Sequence, residues 1–137
     1  PDDDDPAPVI ARALEAGGGR ISDETARCLV HTYGTRAIEL SAMAAKDASL
    51  ASPLVEGRPE IMAQVRFAVQ SELAERLNDV MIRRTQLFYR CESQGLRAAE
   101  AISREMSELL EWSEERRLEE VALYRAEVDR SRLWQTD

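Results

Sequence analysis

The sequence predicts an all-α protein: a compact bundle of about five to six helices, with a helical hairpin near the N-terminus. Ala, Leu, Glu and Arg, which favour helices most strongly, are abundant among its 137 residues. Val and Ile are scattered along the chain and do not form strand-like runs. Aromatic residues make up only 5% of the chain, so the expected core is aliphatic.

Residues 1–20 are predicted to be a flexible, acidic and glycine-rich linker. Residues 1–8 carry too much proline and negative charge to pack. The Ala-rich stretch that follows is expected to form a short helix at best, because the Gly17-Gly18-Gly19 triplet breaks it. Residues 21–137 are predicted to form a single all-helical domain.

The hairpin is predicted around Gly34. Ser22 or Asp23 supplies an N-cap for its first helix. Gly34 can adopt the conformation that ends a helix, and Thr35 is placed to cap the next one. The apolar residues of the first helix fall on one stripe, namely Ala26, Leu29, Val30 and Tyr33.

The middle of the chain carries a long helical pattern after a Pro- and Gly-containing loop over residues 47–59. Apolar residues recur at helical spacing from Ile61 to Met81, so periodicity alone predicts one long helix that ends before Gly95. A further helix follows Gly95. Trp112 and Ser113 then mark a corner, with Ser113 as the N-cap of the last helix.

Charge and composition exclude several classes of partner and site. The formal net charge of −8 disfavours binding to nucleic acid and to anionic membranes. No apolar run approaches the roughly 20 residues that span a bilayer, and no leader is present, so we expect no membrane insertion and a cytoplasmic location. Cys28 and Cys91 show no paired spacing and are expected to be reduced. The start at Pro1, without Met, suggests a fragment of a longer protein.

The residues that usually carry catalysis are scarce. His31 is the single histidine, and no residue is evident that would orient it as a base beside Cys28. Zinc, calcium, phosphate-loop and dinucleotide motifs are missing from the sequence. We therefore expect no catalytic, cofactor-binding or metal-binding residue in this chain. The charge run over residues 114–120 is interpreted as a solvated helix face.

The segment over residues 72–85 has the most distinctive charge pattern. Asp79 lies four residues before Arg83, which predicts an ion pair, whereas Arg83 and Arg84 point roughly 100° apart on a helix. One interpretation is a surface ion-pair network. The other places one arginine in a crevice between helices or domains, clamped by Glu72 or Asp79.

Four motifs together resemble the helical C-terminal domain of the FAD-dependent, quinone-linked glycerol-3-phosphate dehydrogenases. The resemblance covers about residues 20–128. The motifs are Leu29-Val30-x-x-Tyr33-Gly34-x-x-Ala37, Gln64-Val65-x-Phe67-Ala68-Val69-x-x-Glu72-x-Ala74, Leu77-x-Asp79-Val80-x-x-Arg83-Arg84-Thr85, and residues 106–112 followed by Ser113.

The resemblance implies that this chain is the C-terminal cap of a larger enzyme. The parent would bind FAD in an N-terminal domain, oxidise glycerol 3-phosphate to dihydroxyacetone phosphate, and pass electrons to quinone at the inner face of the cytoplasmic membrane. The implied partner is that flavin domain, and a second copy of the chain is a further candidate. A structural or docking role, not a catalytic one, is implied for Glu72, Asp79, Arg83, Arg84 and Thr85, and Trp134 is predicted to be an exposed anchor.

Two departures from the family pattern carry further expectations. Gln64 stands where the family often has an acid, and Arg76 stands where it often has a Thr that caps a new helix. The family pattern therefore predicts a helix break between Ser71 and Arg76, against the periodicity. The calcium-binding extension of the mitochondrial relatives is absent, which is typical of a bacterial-type enzyme.

Two alternatives remain open from the residues alone. The chain could be a free-standing helical interaction or dimerisation module, which the acidic tail and the lack of catalytic residues suit equally well. A nucleic-acid-binding bundle built on the Tyr33-Gly34 corner is disfavoured by the acidic charge.

Overall fold

The computed structural model describes residues 5–85, 87–90 and 95–135, and these form helices joined by turns. This confirms the predicted all-α class. A 3-10 turn lies at Gly34–Arg36 and another at Ala48–Ala51, and a π-helix lies at Asp79–Arg84. The α-helices are α1 (Ala7–Ala16), α2 (Asp23–Tyr33), α3 (Ala37–Lys46), α4 (Met62–Gln70), α5 (Leu87–Arg90), α6 (Leu96–Leu110) and α7 (Glu114–Gln135).

The chain divides into two compact units, Pro1–Gln64 and Val65–Asp137. The single domain that we expected over residues 21–137 stays a prediction. None of the helices in the described residues combines the length and apolar character needed to cross a bilayer.

In the first unit, α1 occupies much of the segment that we predicted as a linker. Ile10 and Ala13 are buried, and α1 packs against α2 and α3. Burial of these side chains orders residues 7–16, so the packed part of the chain begins before residue 21.

The helical hairpin forms where the sequence predicts it. Ser22 Oγ accepts a hydrogen bond from the Thr25 N–H at 3.0 Å and caps α2. Gly34 ends α2 with φ +61°, a backbone angle that favours glycine. The predicted cap by Thr35 is wrong. Thr35 lies inside the 3-10 turn, and Arg36 occupies the N-cap position of α3 without a capping side-chain bond.

Gln64 supports the start of α4. Its buried Oε1 accepts a hydrogen bond from the Ile61 N–H at 2.9 Å. This is the reach-back bond that Glu or Gln makes three residues into a helix. Gln64 therefore makes the bond that an acidic residue would make at this position.

In the second unit, the core packs around Gly95. Gly95 has φ +72°, and a Cβ built on it would lie 2.9 Å from Met81 Cε and 3.3 Å from Leu87 Cβ. The core is mainly aliphatic, as predicted, although its largest fully buried side chain is Tyr124. The Tyr124 ring meets Phe88 edge to face, with ring centroids 6.2 Å apart.

Candidate functional site

The long helix that periodicity predicts is interrupted at residues 71–76. α4 ends at Gln70, and the Ser71 and Glu72 N–H groups both donate to Phe67 O, at 2.8 and 3.2 Å. The prediction of one continuous helix is therefore wrong. The break between Ser71 and Arg76, which the family pattern predicts, is confirmed.

Leu73 is the unusual residue of this break. Its φ of +59° costs a residue with a Cβ about 1–2 kcal/mol. Its side chain is 78% exposed, the largest value among the exposed large hydrophobic side chains of the described residues. A strained backbone that presents an apolar side chain to solvent is typical of a contact site. No sequence pattern marks Leu73, so its role could not be predicted from the sequence.

Glu120, on α7, caps the helical segment that follows the break. Its Oε1 accepts a hydrogen bond from the Leu77 N–H at 3.0 Å. Arg76 cannot act as a capping acceptor, so an acid 43 residues away in the chain satisfies this N–H instead. Asp79 adds a weaker local bond, in which its Oδ2 accepts from the Arg76 N–H at 3.3 Å.

Two arginines hold the Glu120 carboxylate in place. Arg76 lies 3.1 Å from Glu120 Oε2 and Arg116 lies 3.2 Å from it. The Arg116 guanidinium also sits over the Trp112 ring, 5.1 Å from its centroid. Burial by itself raises the pKa of Glu120, but the hydrogen bonds from Leu77 and Arg76 and the charges of the arginines hold that pKa below its usual value.

The π-helix at Asp79–Arg84 contains most of the predicted docking residues. Arg83 Nη1 lies 3.6 Å from Asp79 Oδ1, which confirms the predicted ion pair. Arg84 Nη1 lies 3.4 Å from Glu72 Oε2 across the break. The Arg83 side chain is 77% exposed and that of Arg84 is 40% exposed. The pair of Arg84 with Glu72 is one that the second interpretation names, whereas the crevice itself stays a prediction.

Thr85 is buried and closes the π-helix. Its N–H and its Oγ1 both donate to Val80 O, at 2.9 and 2.8 Å. Its Oγ1 also accepts from the Leu87 N–H at 3.4 Å, just where α5 begins. Thr85 is therefore a capping residue within the fold, and its hydroxyl is buried and does not reach a partner.

Arg117, which is buried, forms a second ion cluster, and no sequence pattern predicts it. Its Nη2 lies 2.6 Å from Glu114, and its Nη1 lies 3.1 Å from Glu100 and 3.0 Å from Ser103 Oγ. The bond with Glu114 raises the pKa of Arg117 and lowers that of Glu114. The interpretation of residues 114–120 as a solvated face is wrong for Arg117 and Glu120, because both are buried.

The structure also describes some of the other residues that the sequence singles out. His31 is exposed, Cys28 is a half-buried thiol, and Cys91 lies outside the described residues. The described part of the chain holds no cluster of three or more His, Cys, Asp or Glu residues that could bind a metal. The side chain of Trp134 also lies outside the described residues.

We call Leu73 and the adjoining Glu72–Arg84 ion pair the Leu73 surface. Two buried side chains support this surface. Glu120 binds the Leu77 N–H where the break ends, and Thr85 closes the π-helix. The surface places an exposed apolar side chain beside a guanidinium group.

Comparison with known proteins identifies the family. A family model described as the C-terminal domain of alpha-glycerophosphate oxidase matches residues 7–117. The chain is 35% identical over 101 residues to a Dictyostelium discoideum protein named probable glycerol-3-phosphate dehydrogenase, mitochondrial, covering 74% of this chain and 16% of that protein. It is 28% identical over 106 residues to glycerol-3-phosphate dehydrogenase of a Synechocystis species, covering 77% and 19%.

A third relative is glycerol-3-phosphate dehydrogenase 2 of Mycobacterium tuberculosis, 30% identical over 103 residues, covering 75% of this chain and 18% of that protein. The chain thus spans 16–19% of the length of these relatives. No solved structure matches it significantly. The match over residues 7–117 agrees with the resemblance that the four motifs predict, and the chain belongs to the family of C-terminal domains of alpha-glycerophosphate oxidase.

Proposed function

We propose that this chain is the C-terminal helical cap of an FAD-dependent glycerol-3-phosphate dehydrogenase. One observation carries the proposal: the chain matches the family domain over residues 7–117 yet spans only 16–19% of relatives that bear this enzyme's name. The parent chain oxidises glycerol 3-phosphate to dihydroxyacetone phosphate. It passes the electrons to quinone at the inner face of the cytoplasmic membrane.

The residues of this chain do not fit FAD. A dinucleotide phosphate needs a glycine-rich turn between a strand and a helix. The glycine triplet here follows α1, a helix, and precedes a helix cap at Ser22. The flavin and the substrate therefore belong to the rest of the parent chain, and the role of this domain is to dock and to hold geometry.

The Leu73 surface is the proposed contact with the flavin domain. Leu73 keeps a strained backbone although it gains no burial within the described residues. Burial of a Leu side chain against a partner would stabilise the complex by roughly 2 kcal/mol, which is enough to offset that strain. The contact lies inside residues 7–117, the part of the chain that the family shares.

Arg83 and Arg84 supply polar contacts beside the apolar knob. Their ion pairs, at 3.6 and 3.4 Å, are long, and both arginine side chains reach solvent, so these pairs contribute little stability. Guanidinium groups held this loosely keep N–H donors available for carboxylates or carbonyl groups of a partner. This arrangement suits docking better than it suits stabilisation of the domain itself.

The test measures binding of this chain to the separately produced N-terminal part of the parent. We expect Leu73→Asp to weaken binding at least about tenfold, because a charge would be buried without a partner. Leu123→Asp is the matched control. Leu123 is also an exposed leucine, but it lies on α7, and we expect no change in binding.

Three results would overturn the proposal. One is equal binding of the wild-type chain and Leu73→Asp, which would show that Leu73 does not contact the partner. Another is glycerol 3-phosphate oxidation by this chain alone. The third is a parent gene with no flavin domain, which would favour the free-standing interaction module.

A further inference from the structure

An open cleft lies where the helix break meets the corner that joins α6 to α7, and we call it the corner cleft. Its volume is about 420 Å³. It belongs wholly to the second compact unit and to the segment that the family model matches. The residues that line it are Glu75, Leu110, Glu111, Trp112, Ser113 and Arg116. Because Glu75 follows Leu73 by two residues, the cleft continues the Leu73 surface along the chain.

The corner cleft combines apolar surface with carboxylates. Leu110 and Trp112 are half-buried, so part of each apolar side chain faces solvent. Glu75 and Glu111 are exposed, and neither forms an ion pair with another described residue. Carboxylates beside apolar surface suit a long basic side chain, because its aliphatic stem can pack while its charged end binds the carboxylates.

The charges around the corner cleft leave it negative. Arg116 lines the cleft, but Arg116 and Arg76 share the buried Glu120, so these three side chains carry a single excess positive charge. Glu75 and Glu111 outweigh that charge. Three further exposed glutamates near the corner form no ion pair with a described residue, namely Glu108, Glu115 and Glu119. The cleft therefore attracts a basic group and repels an acidic one.

The backbone has an unusual conformation on both sides of the corner cleft. Among the described residues, Leu73 and Glu111 are the non-glycine residues with a positive φ, at +59° and +58°. Glycine is the usual residue at the position of Glu111, directly after the last turn of a helix. Strained backbone is concentrated at contact and functional sites, and here both strained residues adjoin one continuous surface.

We propose that the corner cleft binds an arginine or lysine side chain of the flavin domain, and that it forms one docking surface with Leu73. The contact rests on the proposed function, and it adds the chemistry of the partner's side chain. The flavin domain is favoured as the occupant because the cleft continues the Leu73 surface and lies within the residues that the family shares. The unpaired carboxylates select a basic side chain from that domain.

Hydrogen exchange tests the contact in the intact parent protein. Backbone N–H groups are compared between the full-length parent and the 137-residue chain. We expect residues 72–76 and 110–113 to exchange at least about tenfold more slowly in the parent, because docking suppresses local opening. The first segment reports the Leu73 contact, and the second reports the corner cleft.

Charge reversal in the full-length parent then tests the chemistry of the occupant. We expect Glu75→Lys and Glu111→Lys each to return the exchange of residues 110–113 to within about twofold of the rate in the 137-residue chain, because like charges would meet. Glu75→Gln and Glu111→Gln remove the charge without reversing it and should have a smaller effect.

Asp129→Lys is the matched control. Asp129 is exposed and forms no ion pair with a described residue, but it lies about 20 Å further along α7 than Arg116. Its reversal should leave the exchange of both segments unchanged. Circular dichroism of the 137-residue chain checks that each variant keeps its helix content.

The two segments separate a failure of this contact from a failure of the proposed function. Protection of residues 72–76 without protection of residues 110–113 would overturn the corner cleft alone. Protection at the cleft that survives Glu75→Lys and Glu111→Lys, or that Asp129→Lys removes equally, would exclude a basic side chain bound there. Protection that rises with protein concentration would assign the cleft to a second copy. Equal exchange of both segments in parent and chain would contradict the proposed docking as well.

Discussion

At the residue scale, Glu120 determines where the helical segment after the break begins. It is a buried acid that accepts the Leu77 N–H and lies between Arg76 and Arg116. A hydrogen bond to a charged group contributes about 1.5–3 kcal/mol, more than an exposed ion pair does. A single side chain on α7 therefore fixes the geometry of a segment far away in sequence.

Replacing Glu120 by Gln keeps an acceptor for Leu77 but removes the charge that the arginines bind. We expect Glu120→Gln to lower the free energy of unfolding by about 1–3 kcal/mol in urea denaturation. Glu119→Gln changes the neighbouring but exposed carboxylate and should alter the free energy by less than about 0.5 kcal/mol. Equal effects of the two variants would contradict the capping role of Glu120.

The same carboxylate makes stability depend on pH. Its pKa is lower in the folded chain than in the unfolded chain. Its contribution is therefore present above the unfolded pKa and is lost as the pH falls through the folded pKa. Unfolding midpoints measured from pH 6 down to about pH 3 should fall less steeply for Glu120→Gln than for wild type. The same dependence of the midpoint on pH in both proteins would show that folding does not lower the pKa of Glu120.

Gly95 is the second residue with a specific steric role. Gly95→Ala would place a methyl group 2.9 Å from Met81 Cε at a positive φ, and we expect a loss of about 2–4 kcal/mol. Gly57 has a similar φ of +83° with nothing within 4 Å of an added Cβ, so Gly57→Ala should cost only about 1–2 kcal/mol. The difference between the two losses measures the packing at Gly95. No difference would mean that the site is not close-packed.

At the element scale, the break and the π-helix determine how Arg83, Arg84 and Thr85 are placed. The π-helix brings Arg84 within 3.4 Å of Glu72, and Thr85 closes it by donating twice to Val80 O. π-Helical turns are rare and occur often at functional sites. Arg83 and Arg84 are therefore presented by an irregular element that the hydroxyl of Thr85 helps to hold.

Thr85→Val removes that hydroxyl at nearly constant volume. We expect the free energy of unfolding to fall by about 1–2 kcal/mol, because buried Val80 O loses a donor and the Leu87 N–H loses an acceptor. Thr85→Ser keeps the hydroxyl and should retain most of the stability. A Val variant as stable as the Ser variant would show that these bonds do not hold the π-helix.

Local patterns predicted the elements whose ends are set by neighbouring residues. Ser22, Gly34 and Ser113 mark helix ends correctly, because each acts within three residues of itself. Periodicity failed at residues 71–76, where the apolar spacing continues although the helix does not. The helix resumes at Leu77, whose N–H donates to Glu120, and spacing along the chain cannot reveal an acceptor on another helix.

The candidate site was predictable only in part, for the same reason. The pair of Arg83 with Asp79 follows from their spacing of four. The pair of Arg84 with Glu72 forms only because the chain turns between them. Leu73 could not be found from sequence, since its exposure and its positive φ are both consequences of the break.

At the scale of the whole molecule, the chain is helical and belongs to a family of C-terminal domains, and we propose that a larger enzyme contains it. The buried side chains of Glu120 and Arg117 each hold an ion cluster together, and other side chains are exposed and available for contacts. Three observations support a domain that packs against another part of the same protein. They are the family match, the small share of the relatives' length that the chain covers, and the exposed Leu73 surface.

The most direct test of this account is to determine the coding sequence immediately upstream of Pro1. We predict a continuous reading frame that encodes a strand, a G-x-G-x-x-G turn and a helix, with an acidic residue about 20 positions further on. That result would place a dinucleotide-binding domain in the same chain. A start codon directly before Pro1 would contradict the account and leave a free-standing helical interaction module.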